Sequence, residues 1–225
     1  MLSVCIPTYE QRGVGPFLFN MLLKTIENQR YSRPYEIIVS DNSSNSLIFR
    51  EIKNFPHLPI VYYQNPVQGA AENLNFSLDH ATGDRVKIMC QDDVFMVRDA
   101  LQQFDQGLDQ AGWAISNAVQ INASGIKTGR SRARYVHGNF DKNTVGMPSV
   151  IAFRKNPLRF DTRLRTFCDL YFYYQLYELY GPPFVIQDFP VGQRYHPASQ
   201  SRNQPPSHQA DKNFLLSHGL IKCNV

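Results

Sequence analysis

The first half of this chain alternates short apolar runs with longer amphipathic ones, a rhythm that few folds accommodate. Leu2–Ile6, Glu36–Ser40, Ile60–Tyr63 and Arg85–Met89 have strand length, are rich in β-branched residues and are bounded by turn formers. Phe17–Gln29, Ser46–Phe55 and Ala71–Ala81 read as helices between them; in the last, Ala71, Leu74, Leu78 and Ala81 recur at helical spacing. Strands joined through helices pair in parallel, so the pattern predicts an α/β fold with a mostly parallel central sheet flanked by helices. Ligands of such sheets bind beyond the carboxyl ends of the strands. Pro7-Thr8-Tyr9, Asp41-Asn42-Ser43 and Gln91-Asp92-Asp93 all fall at those ends.

The second half is less regular. A helix over Val97–Ala111 and a strand over Trp113–Gln120 come first. Asn122–Asn143, rich in Gly, Ser and Asn with Lys127, Arg130, Arg132 and Arg134, reads as a long mobile loop. Pro148–Phe153 and Phe184–Phe189 are strand-like, and the aromatic helix Asp169–Tyr180 is stopped by Gly181-Pro182-Pro183. Ser199–Gln209 reads as a loop or lid and Asp211–Lys222 as a terminal helix. The expectation is one domain over 1–225, with cleft strands to about 95, a second half over about 96–202 and a helical tail at 203–225. Further domains beyond residue 225 are compatible with it.

Composition narrows the class. Hydrophobic residues at 43% and charged residues at 19% are those of a globular chain. A net charge of +4 suits an anionic ligand, but nucleic acid would require a denser basic footprint and one of its binding motifs. No apolar run reaches the roughly 18 residues of a membrane span. Cys5, Cys90, Cys168 and Cys223 are far apart without a CxxC pair, and Cys5 and Cys90 sit in apolar runs. They read as small buried residues of a protein in a reducing compartment, the cytoplasm.

Gln91-Asp92-Asp93 is the sharpest chemical feature. Two carboxylates leave one strand together, and Mg²⁺ or Mn²⁺ is typically shared between one or two carboxylates and substrate phosphates. An Asp pair in isolation is more often a turn or a helix cap; its place in the strand order favours the metal. Asp41 either accepts hydrogen bonds from a base or ribose, or closes an Asx turn with Ser43. Tyr9 either stacks on a base or packs at the rim. Asp169 opens the aromatic helix, as a general base or as a carboxylate favoured by the helix dipole. Arg194-Tyr195-His196 and Ser199-Gln200-Ser201-Arg202 offer cationic and hydroxyl donors to a diphosphate. Gly13-Val14-Gly15 lacks the third glycine and the Gly-Lys-Ser/Thr of a phosphate loop, and is a turn.

Taken in order, Ser3–Tyr9, Glu36–Ser43, Asn73 and Asn75 before Ala81-Thr82-Gly83-Asp84, Gln91-Asp92-Asp93, Phe160-Asp161, Asp169-Leu170, Gly181, His196 and Ser199-Gln200-Ser201 resemble family 2 glycosyltransferases. The resemblance covers nearly the whole chain, to about residue 202, and implies a Rossmann-like GT-A fold that binds a nucleotide-sugar. It assigns Pro7, Thr8, Tyr9 and Asp41 to base and ribose, and Asp93, aided by Asp92, to Mn²⁺ or Mg²⁺ on the diphosphate. Asn73, Gln91, Asp92, His196 and Arg202 count among the donor-binding residues, and Asp169 stands where members place the base of an inverting displacement. The implied donor is a UDP-sugar, with a dTDP-sugar next, and the acceptor a hydroxyl of a glycan or glycoprotein. Asn122–Asn143 and Arg154–Arg165 would border the acceptor.

Three departures from the family pattern stand out. Gln91 occupies the first of what are often three acidic positions, Asn73-Leu74-Asn75 replaces an expected Arg, and Cys168 replaces the acidic residue usually beside the base. Other readings of the same pattern are a sugar nucleotidyltransferase and a non-catalytic carbohydrate-binding or scaffold domain. The first would need a Gly- and Arg-rich phosphate loop after the first strand, which Pro7-Thr8-Tyr9-Glu10 is not.

Overall fold

Strand β1 (Leu2–Thr8) sits inside the sheet, paired in parallel with β2 (Tyr35–Asp41) on one side and β4 (Arg85–Ile88) on the other. Its side chains alternate between two cores, as strand geometry requires. Leu2, Val4 and Ile6 enter one, with Phe19, Leu22, Ile26, Ile48, Leu101 and Phe104; Cys5 enters the other, with Leu74, Leu78, Phe172 and Leu176. Helices α1 (Gly15–Glu27), α2 (Leu47–Ile52) and α4 (Ala100–Gln110) therefore cover one face, and α3 (Ala70–His80) and α5 (Cys168–Tyr180) the other. The computed structural model describes residues 1–140, 142–197 and 208–221.

The nine-stranded sheet has the order β3-β2-β1-β4-β8-β6-β9-β5, with β7 paired to β6. β3 (Ile60–Gln64) runs parallel to β2. β8 (Ile151–Arg154) is antiparallel to both β4 and β6 (Trp113–Asn122), and β9 (Phe184–Tyr195) is parallel to β6. β6 and β9 thus run with β1 to β4, and only β8, β7 (Lys127–Ser131) and the two-residue β5 (Val94–Phe95) run against them. The expected mostly parallel α/β fold is present, and the carboxyl ends of β1, β2, β4, β6 and β9 open on the same side.

Four local expectations change. Asn122–Asn143 is not a continuous loop, because β7 within it forms a hairpin with β6. The Asn122 carboxamide Oδ1 accepts the Ser124 and Ile126 N–H groups, and Gly125 supplies the positive φ of the turn. Lys127–Ser131 lies largely exposed, so no apolar alternation advertised a strand. β9 runs on past Phe189 to Tyr195; Pro190 is accommodated where the β6–β9 register shifts, the usual refuge for a strand proline. Pro148–Val150 is a 3-10 turn, leaving only Ile151–Arg154 as strand. α2 is shorter than expected, spanning Leu47–Ile52.

Helix α6 (His208–Ser217) is the last helix of the described residues. Leu215 joins Phe140, Leu164, Phe167 and Tyr171 in a small core of its own beside the start of α5. Among the described residues, no helix is long and apolar enough to cross a membrane.

Candidate active site

The two aspartates leave the sheet just after β4, in a turn closed by the Asp93 N–H donating to the Cys90 carbonyl at 3.1 Å. The end of β9 holds this turn in place. The Arg194 N–H donates to Asp93 Oδ1 at 2.8 Å, and Arg194 Nε donates to the Asp92 carbonyl at 2.9 Å. His196 Nε2 lies 3.1 Å from Asp92 Oδ2. Asp93 is 3% exposed. Burial above all, and then the neighbouring charge of Asp92, pushes its carboxyl up to about 8. One ligand atom each of Cys90, Asp92 and Asp93 lie within 4.8 Å of one another. Two crowded carboxylates, with the ionisation of Asp93 resisted by burial and by its neighbour's charge, are a donor set that fits a hard divalent cation. Cys90, expected to be a buried strand residue, lies beyond β4 in this turn and is partly exposed.

Beneath the turn lies a buried amine. Lys87 is in β4 with its Nζ donating to the carbonyls of Ile88, Ser149 and Ile151, and stands 4.2 Å from the Phe104 ring centroid. Burial lowers its amine to about 7, while the charge of Asp93 works in the opposite sense. Ser149 links this layer to the turn by accepting the Cys90 N–H at 2.8 Å.

A second network ties the ends of β1, β2 and β3 together. Asn73 of α3 donates from Nδ2 to the Thr8 carbonyl at 2.9 Å, and its Oδ1 accepts from the Ser40 hydroxyl and from Asn65 Nδ2. The Thr8 hydroxyl donates to the Ser40 carbonyl at 3.2 Å. Gln91 spans from the aspartate turn to Tyr9, engaging both the backbone N–H and the carbonyl of that residue. The Tyr9 side chain stays 41% exposed, and Pro7 is half-buried beside it. Asp41 is fully buried. Its Oδ1 accepts from the Ser43 N–H and hydroxyl at 2.9 and 2.6 Å, and its Oδ2 from the Tyr62 hydroxyl at 2.9 Å. This is the Asx-turn arrangement, with one oxygen engaged by Ser43 of the loop and the other by Tyr62 of β3.

Asp169 stands in the first turn of α5, half-buried. The Cys168 thiol donates to its Oδ1 at 3.4 Å. Burial raises its carboxyl to about 6, opposed by that thiol bond. The charge of Asp169 acts in turn on Cys90, so the start of α5 lies near the aspartate turn.

Tyr9, Gln91, Asp92, Asp93 and His196 are therefore joined through one turn and its hydrogen bonds, with Asp169 near Cys90 of that turn, whereas Asn73 and Asp41 are buried in the network at the ends of β1, β2 and β3. The Arg194 guanidinium is spent on the carbonyls of Asp92, Asn122 and Ala123. Ser199, Gln200, Ser201 and Arg202 lie outside the described residues. Lys87, Ser149, Asn65 and Tyr62 were not foreseen. Only Lys87 had a visible signal, a charge inside the apolar run Val86–Met89. A separate open groove of about 560 Å³ between α4 and the first half of β9, lined by Gln103, Gln106 and Phe184 among others, shares none of these residues.

Comparison with known proteins bears on the family and the fold. The family described as Glycosyl transferase family 2 matches residues 3–177. No curated protein matches the chain by sequence. Among solved structures, S. aureus TarS 1-349 in complex with UDP-GlcNAc superposes with a TM-score of 0.72 at 17% identity, over 91% of this chain and 61% of that one. The mannosyltransferase PcManGT from Pyrobaculum calidifontis, in complex with GDP-Man and Mn²⁺, gives 0.60 at 19%, over 86% and 56%. At these identities the likeness is one of fold, and this chain spans only about three-fifths of the longer proteins.

Proposed function

The chain belongs to glycosyl transferase family 2 and has its GT-A fold, and we propose that it moves a sugar from a nucleotide diphosphate donor to an acceptor hydroxyl with inversion. The observation that carries this reading is the Asp92-Asp93 turn, buried at the carboxyl end of β4 and held from behind by β9.

Asp93, with Asp92 beside it, would hold Mn²⁺ or Mg²⁺, as the neighbour solved with GDP-Man and Mn²⁺ also suggests. That cation supplies positive charge to the departing diphosphate. The exposed ring of Tyr9 is free to stack on a base, on a backbone that Gln91 holds fixed. Pro7, Thr8 and Asp41 shape the floor of that pocket rather than reach across it. His196 orients Asp92 from the diphosphate side. Asp169 takes the acceptor's proton as its oxygen attacks the anomeric carbon, and a carboxyl near 6 is ionised at neutral pH and still basic enough to accept it.

UDP is the first donor nucleotide to test and dTDP the next, with a glycan or glycoprotein hydroxyl as acceptor. The β6–β7 hairpin and the 154–165 segment would border the acceptor. Incubation with a panel of UDP-, dTDP- and GDP-sugars and Mn²⁺ tests the reading, with release of nucleoside diphosphate as the expected outcome. Pyrophosphate exchange would replace it with a nucleotidyltransferase. Donor binding without turnover under any condition would leave a carbohydrate-binding module of the same fold.

A further inference from the structure

Helix α6 reaches the start of α5 through one carboxylate. Asp211 is 6% exposed, and its Oδ2 accepts the backbone N–H groups of Arg165, Thr166 and Phe167 at 3.1, 2.7 and 3.0 Å. The Thr166 hydroxyl donates to the same oxygen at 2.9 Å. The pinned turn is the one from which α5 starts, since the Phe167 carbonyl accepts the Tyr171 N–H at 2.8 Å. Asp169 lies between these two residues. An anion in front of a helix start is favoured by both its free N–H groups and its dipole.

The apolar contacts behind this carboxylate point the same way. Leu215 of α6 packs with Phe167 and Tyr171, so α6 grips the start of α5 from both its polar and its apolar side. Nothing in the sequence places residue 211 near residue 169, and the aspartate reads there as an ordinary first-turn residue of a terminal helix.

We propose that Asp211 is a positioning residue for Asp169, fixing the first turn of α5 so that the base meets the acceptor hydroxyl. This rests on the reading of Asp169 as the general base. A base must sit within hydrogen-bond reach of the proton it takes, and displacement by about 1 Å can cost about 100-fold in rate. The titratable groups facing Asp169 are Cys168 on its own helix, Tyr173 one turn further, and Cys90 from the turn after β4.

The test needs no donor. Carbon-13 NMR of aspartate carboxyls, with the Asp169 signal assigned by its loss in D169N, is run on the parent chain, D211A and D211N. D211N keeps an acceptor oxygen and removes the charge. In D211A the first turn loosens, water reaches Asp169 and its titration midpoint should fall by a unit or more, with faster amide exchange at Thr166 and Phe167; D211N should stay near the parent. Equal shifts in D211A and D211N would make the effect one of charge and overturn the proposal, as would an unmoved midpoint in D211A. Should D211A fail to fold, Leu215→Ala loosens the docking of α6 and is expected to lower the same midpoint; no change there overturns the idea equally.

Turnover then separates this proposal from the one beneath it. With a donor found in the panel, D211A should lose at least ten-fold in kcat while UDP binding with Mn²⁺ stays within two-fold. Full transfer by D169N would remove the base. Inactive D169N beside fully active D211A would remove only the positioning role.

Discussion

Gln91 holds Tyr9 by both ends of its carboxamide: Oε1 accepts the Tyr9 N–H at 2.6 Å, and Nε2 donates to the Tyr9 carbonyl at 2.7 Å. The turn that carries the two aspartates is thereby fastened to the loop that carries the candidate base-stacking ring. Glutamate would keep the acceptor but could not donate to the Tyr9 carbonyl unless protonated, so an amide is the side chain this pairing calls for.

Gln91→Ala should therefore act on both loops at once. Removing the amide leaves a backbone N–H and a carbonyl without their partners, at a cost of about 1–3 kcal/mol. Thermal unfolding should report that loss, and calorimetric titration with UDP should show weaker binding as Tyr9 becomes mobile. Loss of stability with unchanged UDP affinity would mean that Tyr9 does not bear on the base.

Asp93 connects metal binding to pH. Its folded carboxyl titrates near 8, against about 3.9 in an unfolded chain. A raised carboxyl makes a stability contribution that is fully present below the unfolded value and is lost as pH rises through the folded one. The metal-free parent should thus lose stability between about pH 4 and 8, and Asp93→Asn should lose less over the same window. Mn²⁺ must displace the proton, so its affinity should strengthen as pH rises towards 8 and level off above it. Thermal shift with and without Mn²⁺, from pH 5 to 9, checks both; a Mn²⁺ response retained in Asp93→Asn would remove this residue from the metal site.

The rate should follow a different group. Asp169 is raised to about 6 by burial, so transfer should fall on the acid side with a midpoint near that value. Asp169→Asn should retain donor binding while losing on the order of 10²–10⁴-fold in kcat, the range of general base catalysis. Initial rates across pH 4.5–8 at saturating donor provide the measurement, and an unchanged profile in the variant would exclude the base.

How much of this was legible depends on how each residue does its work. Asp92 and Asp93 could be found because their place in the chain, after an apolar strand of a β/α series, already fixes which sheet edge they occupy. Asp41 could not be resolved that way, since an Asx turn and a ribose contact need the same residue at the same spot; the Ser43 and Tyr62 hydroxyls that engage it are visible only in the folded chain. β7 was missed because an exposed Lys-Thr-Gly-Arg-Ser strand owes its pairing to its neighbour and not to a buried face. The contact between Asp211 and the start of α5 crosses more than forty positions of chain and involves backbone N–H groups, which no residue pattern encodes.

Lys87 was visible as an anomaly, and its consequence can be measured. A lysine buried in β4 and lowered to about 7 is held in its neutral form more readily than the unfolded side chain, which titrates near 10.4. The folded chain therefore binds fewer protons than the unfolded one between about pH 7 and 10, and stability due to this group rises with pH across that window. Lys87→Met keeps the apolar contacts with Phe104 and removes the titration, at the expense of the hydrogen bonds to Ile88, Ser149 and Ile151. The parent minus variant stability, from urea unfolding at pH 7, 8, 9 and 10, should increase steadily with pH. The Mn²⁺ response should also weaken in the variant at fixed pH, because the Ser149 carbonyl loses its donor and the Ser149 hydroxyl supports the Cys90 N–H of the aspartate turn. A stability difference that stays flat from pH 7 to 10 would show that Lys87 remains charged in the core, with Asp93 as its counter-ion.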